Sequence, residues 1–221
     1  MPPLIPDAHS GQGTPGGEWH GRRIILVFDK SNALSLIPPS AVMPIEGVTI
    51  PQELYWVLSN PAPLAGMRYP RPGFPWAALA RSGFSCVVRL TSDGTSYDPQ
   101  PLQVAYSAQL EDLLHGISPG SPRQELHLIR EAVTVVREAL AHGEGVVVHC
   151  AGGRGRTGTV LGATLVSLGF APAEVVAHLD LLHKARGTSG WPESLWQADI
   201  LQHFVPKRPP HTPSTTQGRG R

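Results

Sequence analysis

Cysteine is scarce: Cys86 and Cys150 are the only two in 221 residues. At most one disulfide can form, which excludes a disulfide-built secreted scaffold. Net charge is almost absent as well, since 18 Lys and Arg against 17 Asp and Glu leave a formal +1. That removes the global field that drives adsorption to nucleic acid or to an anionic membrane. No uncharged apolar run approaches the ~18 residues a spanning helix needs, and Met1 to Arg23 lacks the apolar stretch of a secretory leader. Histidines 115, 142, 178, 183 and 203 show no ligand spacing with acidic partners, so neither metal nor other cofactor is expected. The expectation is a cytoplasmic protein with no membrane span and no nucleic-acid partner.

Glycine and proline, in contrast, are abundant, with 24 and 23 copies, and they crowd the ends. Residues 1–20 and the basic tail 206–221, with Lys207, Arg208, Arg219 and Arg221 and no acid, are expected to be disordered, because such compositions cannot offset their ordering entropy. The remainder contains enough of the 41% apolar residues to form one core, giving a single domain over 21–205.

Within it, Ile24–Phe28 and Val48–Ile50 read as short strands, and Tyr55–Leu58 with Leu64–Met67 as a strand pair around Asn60-Pro61. Pro75 opens a short helix with Trp76, Leu79 and Ala80 inward. Cys86–Thr91 suits a buried strand and Leu102–Leu110 a further one. Ser121, Pro122 and Gln124 form a helix start of the capping-box kind, and Leu126, Ile129, Val133, Val136 and Leu140 continue it as one apolar face. Val146-Val147-Val148 is the natural central strand. Thr157–Leu168 reads as a helix buried all round, followed by helices opened by Pro172 and Pro192. Strands alternating with helices predict an α/β fold with a central, mostly parallel sheet flanked by helices.

The chemistry sits where the valine strand ends, in His149-Cys150-Ala151-Gly152-Gly153-Arg154-Gly155-Arg156-Thr157-Gly158. Carboxyl ends of strands are where open α/β sheets bind ligands. Glycines 152, 153 and 155 permit positive φ and keep side chains out, so successive N–H groups can face one anion. The following helix adds its unpaired N–H groups and dipole, and Arg156 a planar fork for two phosphate oxygens. Cys150 enters this positive bowl, which favours its thiolate. In-line attack on phosphorus, a cysteinyl-phosphate and its hydrolysis follow, with no metal required. Thr157 is placed to donate its hydroxyl to the sulfur, and His149 to orient the loop. Arg154 stands at the rim, either selecting acidic substrates or simply solvated.

His-Cys-x-x-Gly-x-Gly-Arg-Thr-Gly resembles the signature of the cysteine-dependent protein phosphatases, particularly the atypical dual-specificity and tensin-homologue-like branches. The looser likeness extends over residues 53–205. The resemblance implies the dual-specificity-like fold, a phosphorylated protein or small phosphomonoester as substrate, and hydrolysis of phosphotyrosine with phosphoserine or phosphothreonine also open. Inositol phosphates and phosphoinositides, or a binding module with negligible turnover, are the alternatives. It also implies an acid from an Asp upstream of the cysteine. Asp112, in Ala108-Gln109-Leu110-Glu111-Asp112, is the first candidate, with Glu111 and Asp93 behind it and Leu113–Ile117 as an insertion. Gln197 falls where relatives place a glutamine that helps position water, Arg186-Gly187 borders the pocket, and Cys86 is either inert packing or a resolving partner for Cys150.

Overall fold

A computed structural model describes residues 34–41 and 43–207. The strand expected at Ile24–Phe28, the segment 1–20 and nearly all of the tail 206–221 lie outside the described residues. Five strands form one sheet in the order β1-β2-β5-β3-β4. Here β1 is Leu54–Leu58, β2 Leu64–Met67, β3 Phe84–Arg89, β4 Gln103–Ser107 and β5 Gly145–His149. β1 and β2 pair antiparallel, whereas β5 lies parallel between β2 and β3, and β4 runs parallel beside β3. The mostly parallel α/β sheet expected from the sequence is therefore the observed one.

Helix α1 (Trp76–Arg81) covers one face; α2 (Pro122–Ala141), α3 (Gly155–Ser167), α4 (Pro172–Ala185) and α5 (Leu195–Asp199) lie on the other. Strand residues alternate between the two cores. Val146, Val148 and Val88 pack with α2 to α4, while Val147, Val87, Ala65 and Met67 pack with Trp76 and Leu79 of α1. Each fully buried valine contributes ~1.5–3 kcal/mol, which explains why β5 sits at the centre. Three identical residues cannot fix its register, however, since a one-residue slip exchanges valine for valine. Gly145 can, because a Cβ there would run into the Gly83 carbonyl and Pro63.

Several expectations change. Val48–Ile50 is not a strand; Val48 and Thr49 are irregular and Ile50 begins a turn, and among the described residues the sheet is extended beside β1 only by the Leu36–Leu58 bridge. β4 is not buried but an edge strand, with Val104 42% exposed. Ser121 makes no side-chain cap. The backbone N–H groups of Gly120 and Ser121 instead donate to the Glu111 carboxylate, at 2.8 and 3.1 Å, which takes the donor a capping box would have used. The final helix starts after Ser194 and not at Pro192, and its Leu195 points outward.

Candidate functional site

The ends of β2, β5 and β3 converge on one edge, and the chain beyond each is stitched to its neighbour. Tyr69 N–H donates to the Ala151 carbonyl (2.8 Å), Leu90 N–H to His149 (2.9 Å) and Ala108 N–H to Arg89 (3.0 Å). Cys150 leaves β5 there, 2% exposed. The chain then curls through Ala151–Arg154 into α3. Gly153 has φ +68°, and a Cβ on it would be driven into the Met67 carbonyl. Gly152 and Gly155 do not need positive φ; at Gly155 the requirement is space, since Glu193 and the Gln197 amide pack against it. Among the described residues none of the backbone N–H groups from Ala151 to Thr157 has a protein acceptor. Those at the loop's end are the orphan donors every helix start leaves.

Arg156, buried at the foot of α3, donates through Nη2 to Asp112 Oδ2 at 3.1 Å. Asp112 is brought there by the segment beyond β4, which follows the end of β3 through Leu110 N–H to the Leu90 carbonyl (3.3 Å). Leu114–Gly116 of the expected insertion forms one 3-10 turn. Glu111 faces the start of α2, as described, and Asp93 accepts from the Thr91 hydroxyl and the Gln109 amide. Neither contacts Arg156.

His149 is fully buried, and its protonation is legible from its partners. Nδ1 lies 3.3 Å from the Cys150 carbonyl, which can only accept, so Nδ1 carries the proton. Nε2 is then the acceptor for the Tyr97 hydroxyl at 2.5 Å. Burial pushes the ring's pKa down to about 4, opposed by the Cys150 carbonyl, so the imidazole is neutral at pH 7. Trp76 stacks on Tyr97, 5.4 Å between centroids, and holds that phenol in place.

A family model described as "Polymorphic toxin system, DSP-PTPase phosphatase" matches residues 65–170, from β2 through β5 and the loop to the end of α3. Over those residues, just under half of the chain, the match is to the cysteine-dependent phosphatase superfamily. Solved structures similar to this dual-specificity-phosphatase-like domain include Tk-PTP in its active form, at 26% identity over 64% of this chain and 90% of that one, with a TM-score of 0.47. PTPMT1 in complex with PI(5)P is 17% identical over 64% and 88%, TM-score 0.49. The core catalytic domain of a PP-IP phosphatase from S. cerevisiae is 14% identical over 64% and 80%, TM-score 0.43.

Other residues of this phosphatase-type loop stand differently from expectation. Arg154 is neither free at the rim nor solvated: it forms an ion pair with Glu193 and donates to the Ser189 hydroxyl at 2.6 Å. Thr157 Oγ1 is buried without a hydrogen-bond partner among the described residues, so the bond to the Cys150 sulfur is not made. Gln197 is buried, and its Oε1 accepts the N–H groups of Glu193 (2.8 Å) and Ser194 (3.3 Å), which starts α5. Cys86 pairs with Val146, four residues before Cys150 along β5, or ~13 Å at 3.3 Å per residue. No disulfide can bridge that span. Its thiol lies 3.6 Å from Glu144, and burial, with that carboxylate, raises its pKa.

Sequence reasoning missed Tyr97, Glu125, Glu193 and the full role of Arg186. Glu125 is buried on α2, and its carboxylate accepts the Glu111 N–H at 3.2 Å. A signal existed: Glu125 precedes Ile129 by four on the apolar stripe, and Arg186 follows Leu182 by four on that of α4. A charged residue in phase with an apolar face is a buried charge. Tyr97, in the irregular segment between β3 and β4, carries no such mark.

Proposed function

We propose that this chain hydrolyses phosphate monoesters by nucleophilic catalysis from Cys150, with phosphotyrosine, and also phosphoserine or phosphothreonine, in proteins as its substrates. The single observation that supports this reading most is the ring of unpaired N–H groups from Ala151 to Thr157 around Cys150, completed by the Arg156 fork. Such a ring binds the three equatorial oxygens of a transferring phosphoryl group in both ground and transition states.

In the first step the Cys150 thiolate forms the S–P bond as the P–O bond to the leaving group breaks, and Asp112 delivers its proton to the departing oxygen. In the second, water attacks the cysteinyl-phosphate, gives a proton back to Asp112, and frees inorganic phosphate and the thiolate. Phosphate occupying the Arg156 fork displaces Asp112 from it, which leaves the carboxyl beside the oxygen it must protonate. His149, neutral, takes no part in proton transfer and holds the Cys150 carbonyl. Within the loop Ala151 and Gly152 are uncharged and Arg154 is neutralised by Glu193, which favours a single phosphoester over a multiply phosphorylated headgroup.

The test is hydrolysis of an aryl phosphate and a phosphotyrosine peptide with excess chelator, alongside an inositol polyphosphate. Turnover on the first two, abolished by Cys150→Ser, is expected. Phosphate binding without turnover would make the chain a binding module, and preference for the inositol polyphosphate would redirect the substrate class.

A further inference from the structure

Behind the loop, on the side away from the bowl, lies Arg186, at the end of α4 and 8% exposed. The resemblance implied that it borders the pocket; its guanidinium bonds to the carbonyls of the loop itself. Nη1 donates to the Gly153 carbonyl at 2.8 Å and meets His183 Nδ1 at 3.0 Å. Nη2 donates to the carbonyls of Gln52 (3.1 Å) and Gly152 (3.4 Å), and Nε to that of Pro51 (3.0 Å). The guanidinium stands 4.5 Å from the centre of the Tyr55 ring, whose hydroxyl donates to the same Gly153 carbonyl at 3.0 Å. Among the described residues no carboxylate pairs with it.

Two consequences follow from elementary chemistry. A trans peptide is planar, with N–H opposed to C=O. Carbonyls of Gly152 and Gly153 drawn back toward Arg186 therefore turn the N–H groups of Gly153 and Arg154 the other way, into the bowl. Second, a buried cation without a counter-ion costs several kcal/mol unless an anion stands near. The groups facing Cys150 leave that place open. His149, His183 and Tyr55 are neutral, Arg156 is bonded to Asp112, and Arg154 to Glu193.

We propose that Arg186 is a positioning residue of the phosphate loop: it pins the Gly152 and Gly153 carbonyls behind the loop and supplies the positive charge that the Cys150 thiolate and bound phosphate balance from the other side. The proposal rests on the reading of Cys150–Arg156 as a phosphate loop. Burial lowers the arginine's own pKa, opposed by the neighbouring Tyr55 and Cys150 groups.

The experiment compares the full chain with Arg186→Met and Arg186→Lys. It records the rate of Cys150 alkylation by iodoacetamide against pH, and the inorganic phosphate concentration that protects against it, in protein with a wild-type circular dichroism spectrum. In Arg186→Met the pH of half-maximal alkylation should rise by about one unit and phosphate protection weaken ~10-fold or more. Arg186→Lys, which keeps charge but not the fork, should hold that pH within about half a unit yet still weaken phosphate protection. Folded variants with wild-type alkylation and phosphate affinity would overturn the proposal. If only the methionine variant fails to fold, wild-type phosphate affinity in the lysine variant does so; unfolding of both would too, by making Arg186 a structural residue. A wild-type chain that neither hydrolyses an aryl phosphate nor is protected by phosphate would instead sink the reading of the loop itself.

Discussion

Three carboxylates stand near the end of the sheet, and their hydrogen bonds separate their roles. Glu111 is committed to two backbone N–H groups at the start of α2, and Asp93 to a local turn with Thr91. Asp112 alone meets Arg156, with its side chain 46% exposed and so within reach of a leaving group. Geometry precedes acidity in choosing a general acid. Asp112→Asn should therefore slow the hydrolysis of alkyl phosphates by ~10²–10⁴-fold while sparing a nitrophenyl ester, whose oxygen leaves without help. The fall in rate at high pH should flatten with it. Equal losses on both substrates would assign Asp112 to binding Arg156 and leave the acid elsewhere.

At the scale of elements, the site depends on how β5, the loop and α3 join. Gly153 is the hinge of that joint, because its positive φ and its approach to Met67 both exclude a side chain. Gly153→Ala adds ~1–2 kcal/mol of backbone strain before the clash is counted. The loop should open and phosphate affinity fall at least ~10-fold, the equivalent of 1.4 kcal/mol, with the melting transition still cooperative; unchanged affinity by calorimetry would refute this. The joint was legible in the sequence. A uniformly apolar strand, a glycine-rich turn and a helix buried all round predict their own arrangement from hydrophobic pattern alone. Edge strand β4 and the irregular stretch at Val48–Ile50 were less legible, because apolar residues there pack through tertiary contacts and not through a period. The second layer of the site was hidden for another reason. Glu125, Tyr97 and Arg186 act through partners distant in sequence, and only the fold brings 97 to 149 or 186 to 51 and 153.

Taken across the whole molecule, these buried polar groups make stability depend on pH in two opposed ways. Burial pushes His149 down to about 4, and burial followed by the charges of Arg186 and Arg154 takes His183 to about 3, from an ordinary 6.5. Below pH 6.5 the unfolded chain binds two protons that the folded chain refuses, so stability is lost as pH falls, ~1.4 kcal/mol per pH unit for each proton. Glu125 acts oppositely. Burial raises its pKa to about 7 from 4.5, against the Glu111 N–H and Arg156. Between those values the folded chain keeps a proton that the unfolded chain has released. That contribution is complete below pH 4.5 and disappears as pH rises through 7. From pH 4.5 to 6.5 His149, His183 and Glu125 together leave one proton in favour of the unfolded chain, and His178, also lowered by burial, adds to it, so stability should climb by at least ~1.4 kcal/mol per unit. Above 6.5 only Glu125 still titrates, so the profile should crest near pH 6.5 and decline slightly. Glu125→Gln keeps an acceptor for the Glu111 N–H but holds no extra proton. Urea denaturation of this variant should show the acid slope steeper by ~1.4 kcal/mol per unit and the decline just above pH 6.5 gone. An unaltered slope would mean that Glu125 is ionised in the folded protein, and that the charge of Arg156 reaching it outweighs its burial.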